Sequence, residues 1–127
     1  MGLILLVDDS DPLREVMAAA LEHDGHRVLQ AADGKAAIAL LRANRVDLLI
    51  TDVVMPDQDG LVTLQLARKM QPELKVIVIS GDSPRFAALY LDLATKFGAT
   101  KTLRKPFTLP DLLASVREFC APDKPAG

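Results

Sequence analysis

An apolar segment near the start of the chain ends abruptly in acidic residues. Leu3–Val7 reads LILLV and is followed at once by Asp8 and Asp9, and then, after Ser10, by Asp11. Two carboxylates about 4 Å apart repel each other by roughly 4 kcal/mol near a protein surface, at an effective dielectric of about 20. The acidic residues are therefore either solvated in a loop or arranged around a positive charge.

Other apolar segments also end in residues that could do chemistry. VDLLITD ends in Asp52, KVIVIS ends in Ser80, and the more polar TKTLRK ends in Lys105. Taken singly, each residue has an ordinary explanation as a turn former or a solvated surface group. If the segments are parallel strands, however, their carboxyl ends share one rim of the sheet, where sites form. We therefore expect one functional cluster of three carboxylates, a hydroxyl and an ammonium, formed by Asp8, Asp9, Asp52, Ser80 and Lys105.

The composition of this cluster favours magnesium and phosphate chemistry. Ligands that are all oxygen suit a hard ion such as Mg²⁺, which keeps several waters and commonly binds a phosphate as well. Lys105 would neutralise charge on the phosphoryl oxygens, and the Ser80 hydroxyl would donate a hydrogen bond to one of them. One carboxylate could attack phosphorus and form an acyl phosphate. His23 and His26 look like surface residues and do not support a zinc site.

The elements that must position the cluster alternate between strand and helix patterns. Strands are predicted at residues 3–7, 26–31, 46–52, 75–80 and 100–105. Asp11 is expected to cap the first helix, Asp33 to precede the second, and Thr108 with Asp111 to form a capping box on the last. A third helix is predicted over 60–70 and a fourth over about 86–97. This (βα)₅ pattern predicts an α/β fold with a parallel sheet covered by helices on both faces.

Composition limits the class of protein. The 127 residues carry a net charge of −2, which gives no bulk electrostatic reason to expect direct nucleic-acid binding. No apolar run approaches the ~20 residues of a membrane span. The single cysteine, Cys120, cannot form an internal disulfide, which suits the reducing cytoplasm. We expect Cys120 to be buried on the last helix. We expect one domain over residues 1–120 and a flexible, proline-rich tail over 121–127.

Four stretches together resemble one known family. LLVDDS, DLLITDVVMPDQDG, VIVISG and LRKPF resemble the acidic pair, phosphoacceptor loop, hydroxyl strand and Lys-Pro strand of bacterial response-regulator receiver domains, of the single-domain, chemotaxis-regulator-like type. The resemblance covers the chain from Leu3 to about Cys120. It implies a doubly wound, flavodoxin-like fold whose five strands have the order 2-1-3-4-5.

The resemblance also implies a role for each residue of the cluster. Asp52 would accept the phosphoryl group. Mg²⁺ would be held beside it by Asp9 directly, by Asp8 partly through water, and by the backbone carbonyl of Val54. The remaining roles are a switch hydroxyl, a phosphoryl-pairing ammonium and a cis peptide bond, implied for Ser80, Lys105 and the Lys105–Pro106 bond.

The chain departs from the family pattern before the strand-five lysine. Many receivers have Tyr or Phe at the position of Thr102, and signalling is commonly explained by rotation of that ring. The segment between Ser80 and Lys105 is also a few residues longer than usual. Thr102 therefore puts the usual readout in doubt. The longer segment is either a harmless surface insertion or a cause of unusual partner choice.

The function implied is a phosphoryl-accepting switch of a two-component system, and not an enzyme acting on other substrates. The donor would be a sensor histidine kinase or a histidine phosphotransfer protein. The readout would be a downstream protein partner or an effector domain of the same protein, because the chain is either a stand-alone receiver or part of a longer one. Two alternatives stay open: a Mg²⁺-dependent phosphohydrolase of the haloacid-dehalogenase type, suggested by Asp9-Ser10-Asp11, and an interaction module independent of phosphorylation.

Val54 generates a prediction about the lifetime of the phosphoryl group. Receivers often have a polar residue at this position, near the path of the hydrolytic water, and an apolar side chain cannot orient that water by hydrogen bonding. We expect a Val54→Asn variant to lose its phosphoryl group at a different rate from the native protein, measured as the decay of phosphorylated mass. Equal rates would contradict this prediction.

Overall fold

The computed structural model describes residues 3–52, 60–80, 92, 95–96 and 98–120, with the backbone alone for residues 60, 61 and 80. The strands are β1 (Leu3–Val7), β2 (Arg27–Ala31), β3 (Leu48–Asp52), β4 (Lys75–Ser80) and β5 (Lys101–Arg104). The helices within these ranges are α1 (Asp11–His23), α2 (Gly34–Ala43), α3 (Gly60–Met70) and α4 (Leu109–Arg117). All five predicted strands are present, with ends that agree to within two residues.

The five strands form one parallel sheet with the order β2-β1-β3-β4-β5. The predicted α/β class and the flavodoxin-like strand order are therefore confirmed. The chain moves from β1 outward to β2 and then returns to place β3 on the other side of β1. The order reverses between β1 and β3, which is where doubly wound sheets form their sites.

Alternate residues of the central strands face two separate apolar layers. On one face, Leu5, Leu49 and Val76 pack with residues of α2 and α3. On the other, Leu6 and Ile50 pack with residues of α1 and α4. Cys120 joins this layer and is buried as predicted, but it lies three residues beyond the end of α4 and not on that helix. Burial on both faces explains why β1, β3 and β4 read as continuous apolar runs rather than as alternating ones.

Helix starts follow the predicted capping residues at two of three positions. The Asp33 carboxylate accepts a hydrogen bond from the Ala36 N–H at 2.8 Å, and Thr108 and Asp111 form the predicted capping box. The prediction for Asp11 is wrong. Ser10 occupies the N-cap position, and Asp11 is the first residue of α1, where its carboxylate pairs with Arg14 at 2.6 Å.

Two predicted segments lie wholly or largely outside the described residues. Of the predicted fourth helix, Asp92, Thr95 and Lys96 are described, and all three have helical backbone. The predicted tail, residues 121–127, is not described. In the part of the chain that is described, no helix is both long enough and apolar enough to cross a membrane.

A polar cluster joins the α1–β2 turn, where Asp24 and His26 are buried, to the exposed Arg117 at the end of α4. Arg117 donates from Nε to Asp24 Oδ2 at 2.9 Å and from Nη2 to Asp24 Oδ1, so the two groups are paired through both oxygens. His26 Nε2 lies 3.4 Å from Asp24 Oδ2, and the His26 side chain is fully buried. The expectation that His26 is a surface residue is therefore wrong: its side chain lies beside Asp24, which pairs with Arg117 of α4.

Asp24 generates a prediction about acid stability. The hydrogen bonds from Arg117 hold the pKa of Asp24 below its usual value of 3.8. A carboxyl group whose pKa is lowered in the folded state stabilises that state above the unfolded pKa and loses this contribution as the pH falls through the folded value. We expect Asp24→Asn to lower the free energy of unfolding at about pH 6, and the deficit to shrink toward about pH 3.

Urea unfolding of both proteins across this pH range measures the effect. The matched control is Glu73→Gln, which removes a carboxylate from the exposed Arg45–Glu73 pair and should change stability little at any pH. A deficit in Asp24→Asn that does not vary with pH would contradict the prediction.

Candidate functional site

The register of the sheet brings the acidic residues together. Val7 of β1 pairs with Thr51 of β3, so the residues that follow them, Asp8 and Asp52, lie side by side at the carboxyl end of the sheet. Asp9 follows in the same loop. One oxygen each from Asp8, Asp9 and Asp52 lie within 4.8 Å of one another. The strand ends thus form the carboxylate cluster that the sequence predicted.

The three carboxylates differ in exposure to solvent. Asp8 is 1% exposed and Asp52 is 7% exposed, whereas Asp9 is exposed. Two acidic groups therefore lie largely out of water, where repulsion between them is screened less than at the surface. The third is exposed to solvent, where it can attract an incoming cation.

Lys105 contributes the positive charge of the site. It follows β5, and its Nζ lies 3.1 Å from Asp52 Oδ2, forming a partly buried ion pair that reaches past the end of β4. An ammonium at this position can neutralise charge on Asp52 or on a phosphoryl group attached to it. The structure therefore brings together four of the five residues predicted to form the cluster.

Asp8 shows the electrostatic cost of this arrangement. Its pKa is raised above 3.8, mainly by burial and further by the negative charges of Asp52 and Asp9. The Ser10 N–H, which donates to Asp8 Oδ1 at 2.8 Å, and the charge of Lys105 act in the opposite direction. The other oxygen, Oδ2, is buried and has no hydrogen-bond partner among the described residues.

These observations fit a magnesium ion. Asp8 Oδ2, which has no hydrogen-bond partner among the described residues, and the crowded carboxylates both favour a cation between them, and the ligands are all oxygens. Oxygens around octahedral Mg²⁺, at about 2.1 Å from the metal, lie about 3 to 4 Å from each other. The spacing within the cluster is close to that requirement.

The other predicted site residues are described to different extents. Ser80 ends β4, where its backbone pairs with Arg104 of β5, but its side chain is outside the described residues. Val54 lies outside them altogether. Thr102 is half-buried in β5 opposite Val78 of β4. The Lys105–Pro106 peptide bond is cis.

Two features next to the cluster were missed by the sequence reasoning. A groove of about 500 Å³ between α1 and the start of α4 is lined by Lys105 and by apolar residues that include Met17 and Phe107. The Arg14 guanidinium donates to the backbone carbonyl of Asp8 at 2.7 Å. Asp11 and Arg14 lie three residues apart in one helix, and this spacing could have indicated that the two side chains pair beside the cluster.

Comparisons with known proteins agree with this geometry. A family model for the response regulator receiver domain matches residues 4–117. The chain is 34% identical over 120 residues to the response regulator receiver protein CpdR of Brucella abortus, a match that covers 94% of this chain and 97% of that protein. It spans only 12% and 23% of two other curated relatives, a sensor kinase from Brucella abortus and a DNA-binding transcriptional regulator from Azospirillum brasilense.

Solved structures of similar size share the fold. Chemotaxis protein CheY4 of Vibrio cholerae matches with a TM-score of 0.83 and 29% identity over 94% of this chain and 99% of its own. Response regulator TrrA of Thermotoga maritima, solved in complex with Mg²⁺ and BeF, matches with a TM-score of 0.82 and 27% identity over 94% of this chain and 100% of its own.

The charge crowding at Asp8 generates a stability prediction. In protein freed of metal with a chelator, we expect Asp8→Asn to have a higher free energy of unfolding than the native protein at neutral pH. The raised pKa means that the ionised side chain is disfavoured in the folded state, and asparagine keeps an oxygen that accepts from the Ser10 N–H. The gain should shrink at acidic pH, where Asp8 in the native protein is protonated.

Urea unfolding at neutral and acidic pH measures this gain. Asp92→Asn is the matched control, because Asp92 is a carboxylate in an exposed pair with Lys96 and carries no such penalty. A native protein more stable than the Asp8→Asn variant at neutral pH, without metal, would refute the prediction.

Proposed function

Because the chain belongs to the response regulator receiver domain family, we propose that Asp52 is the residue at which it accepts a phosphoryl group. Receiver domains of this family act in two-component signalling. We assign the receiver domain to residues 1–120. The observation that carries the proposal is the contact of 3.1 Å between Lys105 Nζ and Asp52 Oδ2, inside a cluster of three carboxylates.

Phosphoryl transfer would proceed by attack of an Asp52 carboxylate oxygen on phosphorus. The new bond joins that oxygen to phosphorus, the bond from phosphorus to the donor histidine nitrogen breaks, and that nitrogen takes a proton from solvent. The product is an acyl phosphate on Asp52 and a free histidine on the donor. Lys105 would then pair with phosphoryl oxygens and stabilise the charge that develops on them in the transition state.

Magnesium would be the cofactor of this step. Asp8, Asp9, Asp52 and the backbone carbonyl of Val54 would hold it, with Asp8 acting partly through water. When bound, Mg²⁺ would supply positive charge that stabilises the phosphoryl oxygens as the carboxylate attacks phosphorus. The buried Oδ2 of Asp8, without a hydrogen-bond partner in the part of the chain that is described, supports this assignment, as does the Mg²⁺–BeF complex solved for the related protein TrrA.

Ser80 and Thr102 would connect the chemistry to the signal. The hydroxyl of Ser80, at the end of β4, would hydrogen-bond a phosphoryl oxygen, and Thr102 in β5 would respond to that bond. Phosphorylation would thereby shift an equilibrium between two conformations that differ in affinity for a partner. In this role the protein catalyses only its own phosphorylation and dephosphorylation.

We propose partners and a location of the same kind as for other members of the family. The donor is a phosphohistidine of a sensor kinase or of a histidine phosphotransfer protein in the cytoplasm. The readout is a downstream protein or an effector domain, and not direct contact with nucleic acid or membrane. Two longer relatives support such contexts, since one is a sensor kinase and the other a DNA-binding transcriptional regulator.

Intact-mass measurement after incubation with Mg²⁺ and acetyl phosphate tests the proposal. We expect one added phosphoryl group on the native protein and none on Asp52→Asn, because the amide oxygen is not a nucleophile for phosphorus. Asp92→Asn is the matched control and should be labelled like the native protein, since Asp92 is 64% exposed on the surface. A purified phosphohistidine donor is the second phosphoryl source, so that a preference for protein donors does not hide the reaction.

Three outcomes would contradict the proposal. Labelling of Asp52→Asn to the native extent would place the acceptor at another residue. Continuous release of phosphate from a generic phosphate ester would favour the phosphohydrolase. No labelling from either donor would favour the interaction module that is independent of phosphorylation.

A further inference from the structure

Arg14 connects three parts of the molecule beside the acidic cluster. From the first turns of α1, its guanidinium donates from Nη1 to the backbone carbonyl of Asp8 at 2.7 Å and from Nε to Gln30 Oε1 of β2 at 3.2 Å. Its Nη2 lies 2.6 Å from Asp11 Oδ1. The Arg14 side chain is only 12% exposed, so this charged group is held largely out of water.

The contact with Asp8 distinguishes this arginine from an ordinary surface ion pair. The Asp11 side chain is 68% exposed, and exposed pairs of this kind contribute little by themselves. A backbone carbonyl in the β1–α1 loop is a different acceptor, because its position is part of the path of the chain. The planar guanidinium fork can hold this carbonyl while Gln30 and Asp11 fix the orientation of the fork.

Holding the Asp8 carbonyl also fixes the start of Asp9. The carbonyl of Asp8 and the N–H of Asp9 belong to one planar peptide unit, so a group that holds the oxygen restricts rotation of the whole unit. The Ser10 N–H donates to Asp8 Oδ1 at 2.8 Å and restrains the same turn from its side-chain end. Arg14 and Ser10 together therefore determine where the two consecutive carboxylates can point.

From these contacts we infer that Arg14 is a positioning residue for the metal site, acting through the Asp8–Asp9 peptide unit without touching the ion or the phosphoryl group. The inference rests on the proposed function, since it concerns how that site binds Mg²⁺. Magnesium requires near-ideal octahedral geometry, so a loop that rotates freely presents its carboxylates in the required arrangement only part of the time. By holding the loop before the ion arrives, Arg14 raises the fraction of time that the carboxylates spend in the required arrangement.

The charge of Arg14 and its positioning role predict opposite effects of its removal on Mg²⁺ binding, which makes the inference testable. Arg14 carries a positive charge near a site for a cation, so its removal would strengthen Mg²⁺ binding if Coulomb repulsion were its main effect. If its main effect is to position the loop, its removal weakens binding. Arg14→Met removes the charge and the fork but keeps an unbranched apolar side chain over the same surface.

Isothermal titration with Mg²⁺ alone measures the dissociation constant for native protein and variants. We expect about a tenfold weaker constant for Arg14→Met, the lower end of the effect of removing groups that orient metal ligands. Arg14→Lys should be intermediate, because the compact ammonium keeps the charge but lacks the planar fork whose separate nitrogens reach the three acceptors. Gln30→Met, which changes no charge, should weaken binding less but in the same direction. Arg45→Met, in an exposed pair with Glu73, is the matched control and should bind like the native protein.

A second measurement separates positioning from a general loss of stability. Hydrogen exchange of the Ser10 amide in metal-free protein should be faster in Arg14→Met than in native protein, while amides in the central strand β3 stay protected. If Arg14 were only a structural residue, the free energy of unfolding would fall but folded protein would keep its native dissociation constant. Should Arg14→Met fail to fold, the Arg14→Lys and Gln30→Met results decide the question.

The outcomes also separate this inference from the proposed function. Native protein that binds Mg²⁺ and is labelled at Asp52, together with an Arg14→Met variant that binds Mg²⁺ as tightly or more tightly, overturns the positioning role alone. Native protein that neither binds Mg²⁺ nor is labelled overturns the proposed function, and the positioning role with it.

Discussion

Repulsion among three carboxylates is the constraint to which the rest of this structure responds. Asp8 and Asp52 are nearly buried, Asp9 lies beside them, and the raised pKa of Asp8 reports that the folded protein disfavours its charge. An isolated group in this position would be protonated or moved into solvent. The surrounding donors compensate in part, since the Ser10 N–H and Lys105 both favour the ionised form of Asp8. A site with an unsatisfied preference for positive charge would accommodate a dication, as the proposed function requires.

The scaffold can sustain this repulsion because it is apolar and continuous on both faces of the sheet. Residues such as Leu6 and Ile50 are completely buried between the sheet and the helices, and each fully buried side chain of this size contributes about 2 kcal/mol. The parallel register then places the ends of β1 and β3 side by side. Stability comes from the two apolar layers, while the polar chemistry is confined to the rim where the strands end.

The features that follow from local pattern could be predicted from the sequence, and those that depend on long-range packing could not. Strand positions, the capping box at Thr108 and the meeting of Asp8, Asp9, Asp52 and Lys105 follow from periodicity and from the geometry of parallel strands. The burial of His26 accompanies the pairing of its neighbour Asp24 with Arg117, 93 positions later in the chain, and no local signal reports it. The prediction of a cap at Asp11 is wrong by one position, because Ser10 is the N-cap and Asp11 follows it. An acidic residue suits both the capping position and a first-turn ion pair, so its type does not distinguish them.

The ion pair between Asp52 and Lys105 has a consequence for how change can travel through this sheet. Asp52 ends β3 and Lys105 directly follows β5, and these strands are separated by β4 and therefore about 9.5 Å apart. An event at Asp52, in the centre of the sheet, can thus reach the outer strand through the Lys105 side chain. If Lys105 exchanged Asp52 for another anionic partner, the change would reach β5 at the edge of the sheet. This route requires no aromatic ring at residue 102.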